Sequence, residues 1–170
     1  AVGNFLPLDN ISTADEGFYY AMITNAAGTV RSGMAFLRVI PAYGGALFAT
    51  GMNGKGQLCD GLKLGRDEFA YSIGDVVKVA AGNGFTCYLN EDGELYGVGD
   101  NTYGQLGNNT TTDSTTPVLI ASDVADVQAG AGYVLYLGRW GTLYAIGQNS
   151  FGQLGNGTSL EVHTPIVVAN

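Results

Sequence analysis

The nine residues GDNTYGQLG, Gly99 to Gly107, place three glycines in one short stretch, and a near-copy, GQNSFGQLG, begins at Gly147. Glycine-rich stretches either cradle a ligand such as a phosphate or allow turn conformations that a Cβ opposes. Repetition distinguishes the two roles, because a ligand cradle is usually used once, whereas a structural turn recurs with its repeat. The question is therefore whether further copies of the stretch occur.

The stretch belongs to an internal repeat of 48 residues. Three segments align without a gap: GALFATGMNGKGQLCDG from Gly45, GELYGVGDNTYGQLGNN from Gly93, and GTLYAIGQNSFGQLGNG from Gly141. A second half recurs at the same offset, as DVVKVAAGNGFTCYL from Asp75 and DVADVQAGAGYVLYL from Asp123. We therefore divide this part of the chain into copies at 45–92, 93–140 and 141–170, the last of them partial.

Each copy is predicted to form a series of short strands. Apolar runs of strand length, bounded by glycine or turn residues, occur at 95–98, 117–120 and 132–137, and residues 124–127 alternate with a period of two. No stretch carries a helical period over the length that a helix needs. Four strands in a repeat of this size are typical of a β-propeller blade, so the sequence predicts an all-β fold of propeller blades.

The repeat also resembles a known family. The pattern G-x-L-Y-x-x-G-x-N-x-x-G-Q-L-G, then Thr-Pro at 116–117 and 164–165, then V-x-x-V-x-A-G-x-G, is similar to the repeats of the regulator of chromosome condensation family. The resemblance covers residues 45–170 and implies a propeller of about seven blades, so we expect this chain to be part of a longer polypeptide. Departures are Cys59 at the last glycine of GQLG, Phe69 at the proline position, and Arg139-Trp140 at the acidic turn pair Glu91-Asp92.

Residues 1–40 do not repeat. Alternation on both sides of Asn25-Ala26-Ala27-Gly28 predicts a hairpin. The motif D-x-G-x-Y-x-A, from Asp15 to Ala21, resembles the end of an immunoglobulin-like domain, in which Tyr19 would form the tyrosine corner. Because Ala21 stands where that family has its second cysteine, we expect no inter-sheet disulfide. Residues 41–44 are predicted to form a short linker.

The composition excludes some classes of partner. Seven basic against fifteen acidic residues give a net charge of −8, and nucleic acid requires its phosphates to be neutralised by Lys and Arg. No apolar run is long enough to cross a membrane, so membrane insertion is not expected either. The two cysteines, Cys59 and Cys87, occupy different positions of the repeat and are predicted to be free thiols.

The motifs of common enzymes and cofactor sites are not found in the sequence. Gly97-Val98-Gly99 lacks the third glycine of a dinucleotide loop, and Lys55 lies among glycines without the Ser or Thr of a phosphate loop. The single histidine, His163, is predicted to be an exposed residue of a blade connection. Asp100 to Asp113 holds many oxygen ligands but lacks the register of a calcium loop. We therefore expect no enzymatic activity, no cofactor and no metal.

The glycines of the opening stretch are thus predicted to be architectural, and Gln105 to hold the loop backbone through its amide. The structural motif comprises Gly56, Gln57, Leu58, Gly104, Gln105, Leu106, Gly107, Gly152, Gln153, Leu154 and Gly155. Candidate binding residues are those that vary between equivalent positions of the copies. One such set is Met52, Asp100 and Gln148, and the other is Lys55, Tyr103 and Phe151.

Repeat architecture and composition together predict a non-enzymatic binding, adhesion or structural module. We expect it in a secreted or surface-exposed bacterial protein or in a phage virion, as a fibre or decoration protein. The expected partner is a protein or a cell-surface glycan, recognised by propeller loops, with the immunoglobulin-like part as a spacer. Two alternatives stay open: a nucleotide-exchange regulator of a small GTPase, and an inhibitor of a secreted enzyme.

Overall fold

The computed structural model of the chain describes residues 45–169 in full and, before them, the backbone of 17–19, 22–25, 28–31 and 35–37. The chain divides into two units, Ala1–Ala42 and Tyr43–Asn170. All regular elements in the described residues are β-strands, and none of these residues belongs to a helix of the kind that spans a bilayer. The predicted all-β class is confirmed.

The described residues of the first unit form four short strands in two antiparallel pairs. Strand β1 (Gly17–Tyr19) pairs with β4 (Ala35–Leu37), and β2 (Met22–Asn25) pairs with β3 (Gly28–Arg31). Asn25 lies opposite Gly28, so the predicted hairpin is present at this turn. The side chain of Tyr19 lies outside the described residues, and its role in a tyrosine corner stays a prediction.

The second unit consists of two antiparallel sheets in which each strand pairs with the next along the chain. The first sheet contains β5 (Gly45–Gly51), β6 (Arg66–Ala81), β7 (Phe85–Asn90), β8 (Leu95–Gly99) and β9 (Ser114–Ala121). The second contains β10 (Val124–Ala129), β11 (Tyr133–Gly138), β12 (Leu143–Gly147) and β13 (Val162–Ala169). Consecutive pairing of this kind is the topology of propeller blades.

The blades are out of phase with the sequence copies. The first half of β6 pairs with β5 and its second half with β7, and Asp75, between the halves, has a left-handed φ of 59°. Its repeat equivalent, Asp123 (φ 56°), lies where β9 ends and β10 begins. Asp tolerates this conformation better than most non-glycine residues. Each four-stranded blade therefore takes two strands from one copy and two from the next, and β5 with the start of β6 forms a hairpin beside the first blade.

The core lies between successive sheets. Alternate side chains of β7, at Phe85, Cys87 and Leu89, belong to a cluster shared with the second blade. Tyr88, in the opposite alternation, packs with Cys59 in a second cluster next to the hairpin. Both cysteines are buried and free, as predicted, and burial raises the pKa of the Cys59 thiol to about 12.

The first glycine of GQLG packs the first two loops against the following blade, at Gly56 and Gly104. A Cβ on Gly104 would lie 2.3 Å from Cδ2 of His163 and 2.8 Å from its Cα. His163 is therefore part of β13 with its ring against this glycine, and the prediction of an exposed loop residue was wrong. The reason is that β13 begins before Thr164-Pro165, so His163 already belongs to the strand against which the loop of the first blade packs.

Two matched glycine substitutions test this packing. Gly104 and Gly152 share a φ of +73°, but a Cβ on Gly152 would meet nothing closer than an oxygen at 3.9 Å. Replacing either by Ala should cost about 1 kcal/mol of backbone strain. Gly104→Ala should lose a further 1–3 kcal/mol, roughly, because β13 must shift. Urea unfolding measures both, and equal losses would contradict the contact with His163.

Candidate functional site

The six candidate binding residues all lie on the long loops at one end of the blades. These loops, at 52–65, 100–113 and 148–161, connect β5 to β6, β8 to β9, and β12 to β13. Met52, Asp100 and Gln148 each directly follow a strand, and Lys55, Tyr103 and Phe151 come three residues later. The geometry of the candidate site therefore depends on what holds these loops in place.

A buried asparagine closes each loop. Asn101 is fully buried, and its Oδ1 accepts a hydrogen bond from the backbone N–H of Leu106 at 2.8 Å. Its Nδ2 donates to the carbonyl of Thr110 at 3.0 Å and to Oδ1 of Asn108 at 3.2 Å. One side chain thus forms hydrogen bonds with backbone groups on both sides of the loop. Without it, these groups would need water molecules as partners.

The same arrangement occurs in all three loops. Asn53 and Asn149 are also buried, and their Oδ1 atoms accept from the N–H groups of Leu58 and Leu154 at 2.9 and 3.0 Å. This role of asparagine was not predicted from the sequence, where glutamine alone was expected to support the loop. The signal was available, because Asn is invariant in the three copies at a position between a strand and GQL.

The predicted role of the glutamine is confirmed. Oε1 of Gln105 accepts the backbone N–H of Tyr103 at 2.9 Å, and Gln57 and Gln153 make the equivalent bond at 3.0 and 2.9 Å. Gln105 also donates from Nε2 to Oδ2 of Asp100 at 2.8 Å. The framework of the loop is therefore connected directly to a candidate binding residue.

Four of the six candidates line one cleft. Met52 and Lys55 from the first loop face Asp100 and Tyr103 from the second across a space of about 560 Å³, which Asn83 also borders. We call this space the loop cleft. It joins two successive repeats, so its shape depends on how the hairpin packs against the first blade.

Lys55 connects the two loops by an ion-pair network. Its Nζ lies 2.8 Å from Oδ1 of Asp100 and 2.8 Å from Oδ2 of Asp113. Asp113 was not among the predicted residues. The sequence did hold a signal for an acidic partner, because Lys55 stands at a repeat position that is aromatic in the other two copies.

The electrostatics of Asp100 favour its ionised form. Partial burial alone would raise the pKa of this carboxyl, but hydrogen bonds from Lys55, Thr102 and Gln105 outweigh it and lower the pKa below its ordinary value. Hydrogen bonds to Asp100 and Asp113 in turn raise the pKa of Lys55. The contact between Lys55 and Asp100 therefore stabilises the charged form of both side chains.

Gln148 and Phe151 lie on the third loop and do not line the loop cleft. The Oε1 atom of Gln148 and the ring of Tyr103 both approach Gly132, within 3.2 and 2.8 Å of where its Cβ would be. Tyr103 thus packs partly against the next blade, whereas Phe151 is 91% exposed. The first two loops therefore share the loop cleft, whereas in the third loop Gln148 lies near Tyr103 at Gly132 and Phe151 projects into solvent.

The sequence and fold match one family of known proteins. Residues 92–137 and 141–170 match a family model described as "Regulator of chromosome condensation (RCC1) repeat", and residues 76–105 match a second model with the same description. Together the matches span just over half of the chain. A comparison with curated protein sequences gave no match.

Solved structures share the fold. Yeast RCC1 (Prp20), crystallised with Kap60, is 21% identical with a TM-score of 0.62, over 74% of this chain and 33% of that one. Human WBSCR16 is 22% identical with a TM-score of 0.59, over 95% and 41%. Prp20p from Saccharomyces cerevisiae, in a study of its binding to Gsp1p and histones, is 19% identical with a TM-score of 0.60, over 85% and 41%. This chain spans a third to two fifths of the length of these relatives.

The ion-pair network predicts a specific pH dependence. Because the folded-state pKa of Asp100 is lowered, its contribution to stability is present above the ordinary carboxyl pKa of about 3.9 and is lost as pH falls through the folded value. In Lys55→Met, Asp100 loses the hydrogen bond and the positive charge of Lys55, both of which lower its pKa, so the pKa of Asp100 should rise relative to the wild type. The difference in unfolding free energy between wild type and Lys55→Met should therefore be large at pH 7 and small at pH 3.

The control for this comparison is Lys63→Met, which changes an exposed lysine of the same loop. Its unfolding free energy should follow that of the wild type at both pH values. A difference between wild type and Lys55→Met that stays constant from pH 7 to pH 3 would show that Lys55 contributes through packing alone.

Proposed function

Because this chain belongs to the regulator of chromosome condensation repeat family, we propose that it is a non-enzymatic protein-binding module that presents its long loops to a partner. The observation that carries the proposal is the loop cleft, in which Met52, Lys55, Asp100 and Tyr103 from two successive repeats surround about 560 Å³. A concave site built from loops on a rigid β-scaffold is a common arrangement for recognition.

Constant framework and variable surface support this function. The hydrogen bonds of Asn and Gln to the loop backbone recur in all three loops, while neighbouring residues differ between the copies. Met52 of the first loop corresponds to Asp100 of the second, and Lys55 corresponds to Tyr103. The framework therefore fixes the backbone without fixing the chemistry that it displays. Met52 is 80% exposed, and a flexible thioether on a rigid loop suits contact with a protein surface.

Charge favours a partner with a basic surface. Lys55 in the cleft is paired with two carboxylates, those of Asp100 and Asp113, and the chain as a whole carries a net charge of −8. Complementary charge accelerates encounter and excludes partners of like charge. Protein partners are known for solved relatives, Kap60 in one case and Gsp1p and histones in another, which fits a protein partner here.

We further propose that the module works outside the cell or on a virion, as a bacterial surface or phage protein. The acidic sequence with few charged residues (13%) is typical of extracellular β-proteins. The D-x-G-x-Y-x-A motif around Tyr19 supports an immunoglobulin-like spacer in residues 1–40. Regulation of a small GTPase is the second candidate, since it is what the family resemblance implies.

Binding should depend on the loop cleft. The 170-residue chain is immobilised and exposed to envelope, secreted and virion fractions of the source, and each captured protein is then produced pure for affinity measurement. Met52→Ser and Tyr103→Ser should each weaken the interaction about tenfold or more, because exposed apolar and aromatic anchors dominate interfaces. Melting temperatures of the variants verify that the fold is kept.

The matched control is Leu64→Ser, since Leu64 is a similarly exposed apolar residue of the same loop outside the cleft. This variant should bind as the wild type does. Capture that survives both cleft substitutions would refute the assignment of the site. Accelerated nucleotide release from small GTPases would favour the role as a GTPase regulator. Inhibition of a secreted hydrolase would favour the role as an enzyme inhibitor.

A further inference from the structure

A second cleft lies at the other end of the blades, away from the long loops. It has a volume of about 270 Å³ and is lined by Ser122, Asp123, Tyr136, Trp140, Thr142 and Tyr144. These residues come from the connection between β9 and β10, from the turn between β11 and β12, and from the adjoining strands. We propose that this Trp140 cleft is a saccharide-binding site that takes one pyranose ring against the indole of Trp140.

The exposure of Trp140 is the first observation behind the proposal. Its side chain is 81% exposed, and it is the single tryptophan of the chain. The equivalent residue in the first blade is Asp92, which is also exposed although the second blade contacts its turn. Val124 donates its N–H to Gly93 O at 2.9 Å, and Arg139 donates to Asp92 O at 3.0 Å. This position of the turn is therefore exposed in both blades, and in the second blade it carries the large aromatic ring of Trp140.

Unengaged polar groups are the second observation. In the first blade, Glu94 accepts hydrogen bonds from the hydroxyl of Tyr96 at 2.8 Å and from Nδ2 of Asn90 at 2.9 Å, so the polar groups there satisfy one another. In the second blade Thr142 replaces Glu94 and Gly138 replaces Asn90.

The substitutions leave several groups available to a ligand. Among the described residues, no protein partner is present for the Asp123 carboxylate or for the hydroxyls of Ser122, Thr142 and Tyr144. These groups include both acceptors and donors, grouped around one concave surface. The difference between two otherwise equivalent blades indicates that the second cleft serves a ligand rather than the fold.

A rigid aromatic wall is the third observation. The rings of Tyr136 and Tyr144 are stacked, with centroids 4.9 Å apart and planes inclined by 8°. Tyr136 is buried in the core between the blades, so the wall is fixed before any ligand arrives. A preformed site avoids the cost of ordering side chains on binding.

These features match the chemistry of a sugar ring. A pyranose has a C–H face that packs against an aromatic ring and a rim of hydroxyls that both donate and accept hydrogen bonds. The cleft offers an exposed indole for the face, and a carboxylate and hydroxyls for the rim. The carboxylate of Asp123 and the net charge of −8 favour a neutral saccharide over an acidic one.

Trp140 allows a direct test, because it is the single tryptophan of the chain and excitation beyond the absorption band of tyrosine reports on this one indole. The probes are methyl pyranosides of glucose, galactose, mannose and N-acetylglucosamine, and the disaccharides maltose, cellobiose and lactose. Choline chloride is included because aromatic sites also bind quaternary ammonium groups. At least one saccharide should shift the emission to the blue and protect it from acrylamide quenching, with a Kd on the order of 1 mM.

Two variants locate the site. Asp123→Asn keeps a side chain that tolerates the left-handed backbone and should weaken binding about tenfold. Trp140→Asp restores the residue of the first blade and should abolish binding, as measured by calorimetry. Phe151→Ser, at the other end of the blade, should bind as the wild type does.

The proposal is overturned if no saccharide changes the emission, if choline alone does, or if Asp123→Asn and Trp140→Asp bind the sugar unchanged. Because the Trp140 cleft and the loop cleft lie at opposite ends of the blades, failure here leaves the proposed protein-binding function untouched. Conversely, Met52→Ser should not alter saccharide binding, so the two proposals are tested separately.

Discussion

The buried amide of one asparagine in each repeat is the interaction on which the rest of the structure depends. The last two strands of each blade are joined by a long loop without regular structure, such as residues 100–113, and the buried part of that loop's backbone must find partners away from water. Asn101 provides them on both sides of the loop, and Asn53 and Asn149 do so in the other copies. Once the loop is closed in this way, Gly104 can pack on the next blade and Asp100 is fixed beside Lys55.

The repeat made most of the fold predictable. A constant offset of 48 residues, with apolar runs of strand length, was enough for the all-β class and for the positions of most strands. The phase of the blades was not predictable in this way, because a repeat has no natural starting point. The boundaries of the blades coincide with Asp75 and Asp123, whose left-handed backbone lies where the chain passes from the hairpin to the first blade and from the first blade to the second. Such a conformation leaves little trace in a single sequence.

The candidate site was predictable in part for the same reason. Variation at equivalent positions identified Met52, Lys55, Asp100 and Tyr103, which do meet in one cleft. Asp113 escaped the comparison, since contacts between loops depend on how blades pack. The burial of Asn101 and the strand position of His163 also follow from packing and not from local pattern. The two ends of the blades thus combine a shared framework with local differences, and those differences are where binding is proposed.

The central claim is that the asparagine amide, more than the glycines around it, holds each loop. The most direct measurement is the free energy of unfolding of Asn101→Ala beside that of Thr111→Ala, an exposed threonine of the same loop. Removing the amide leaves a buried N–H and a carbonyl unpaired, so Asn101→Ala should lose about 3 kcal/mol or more. Thr111→Ala should lose no more than about 0.5 kcal/mol. Equal and small losses in the two variants would contradict the account.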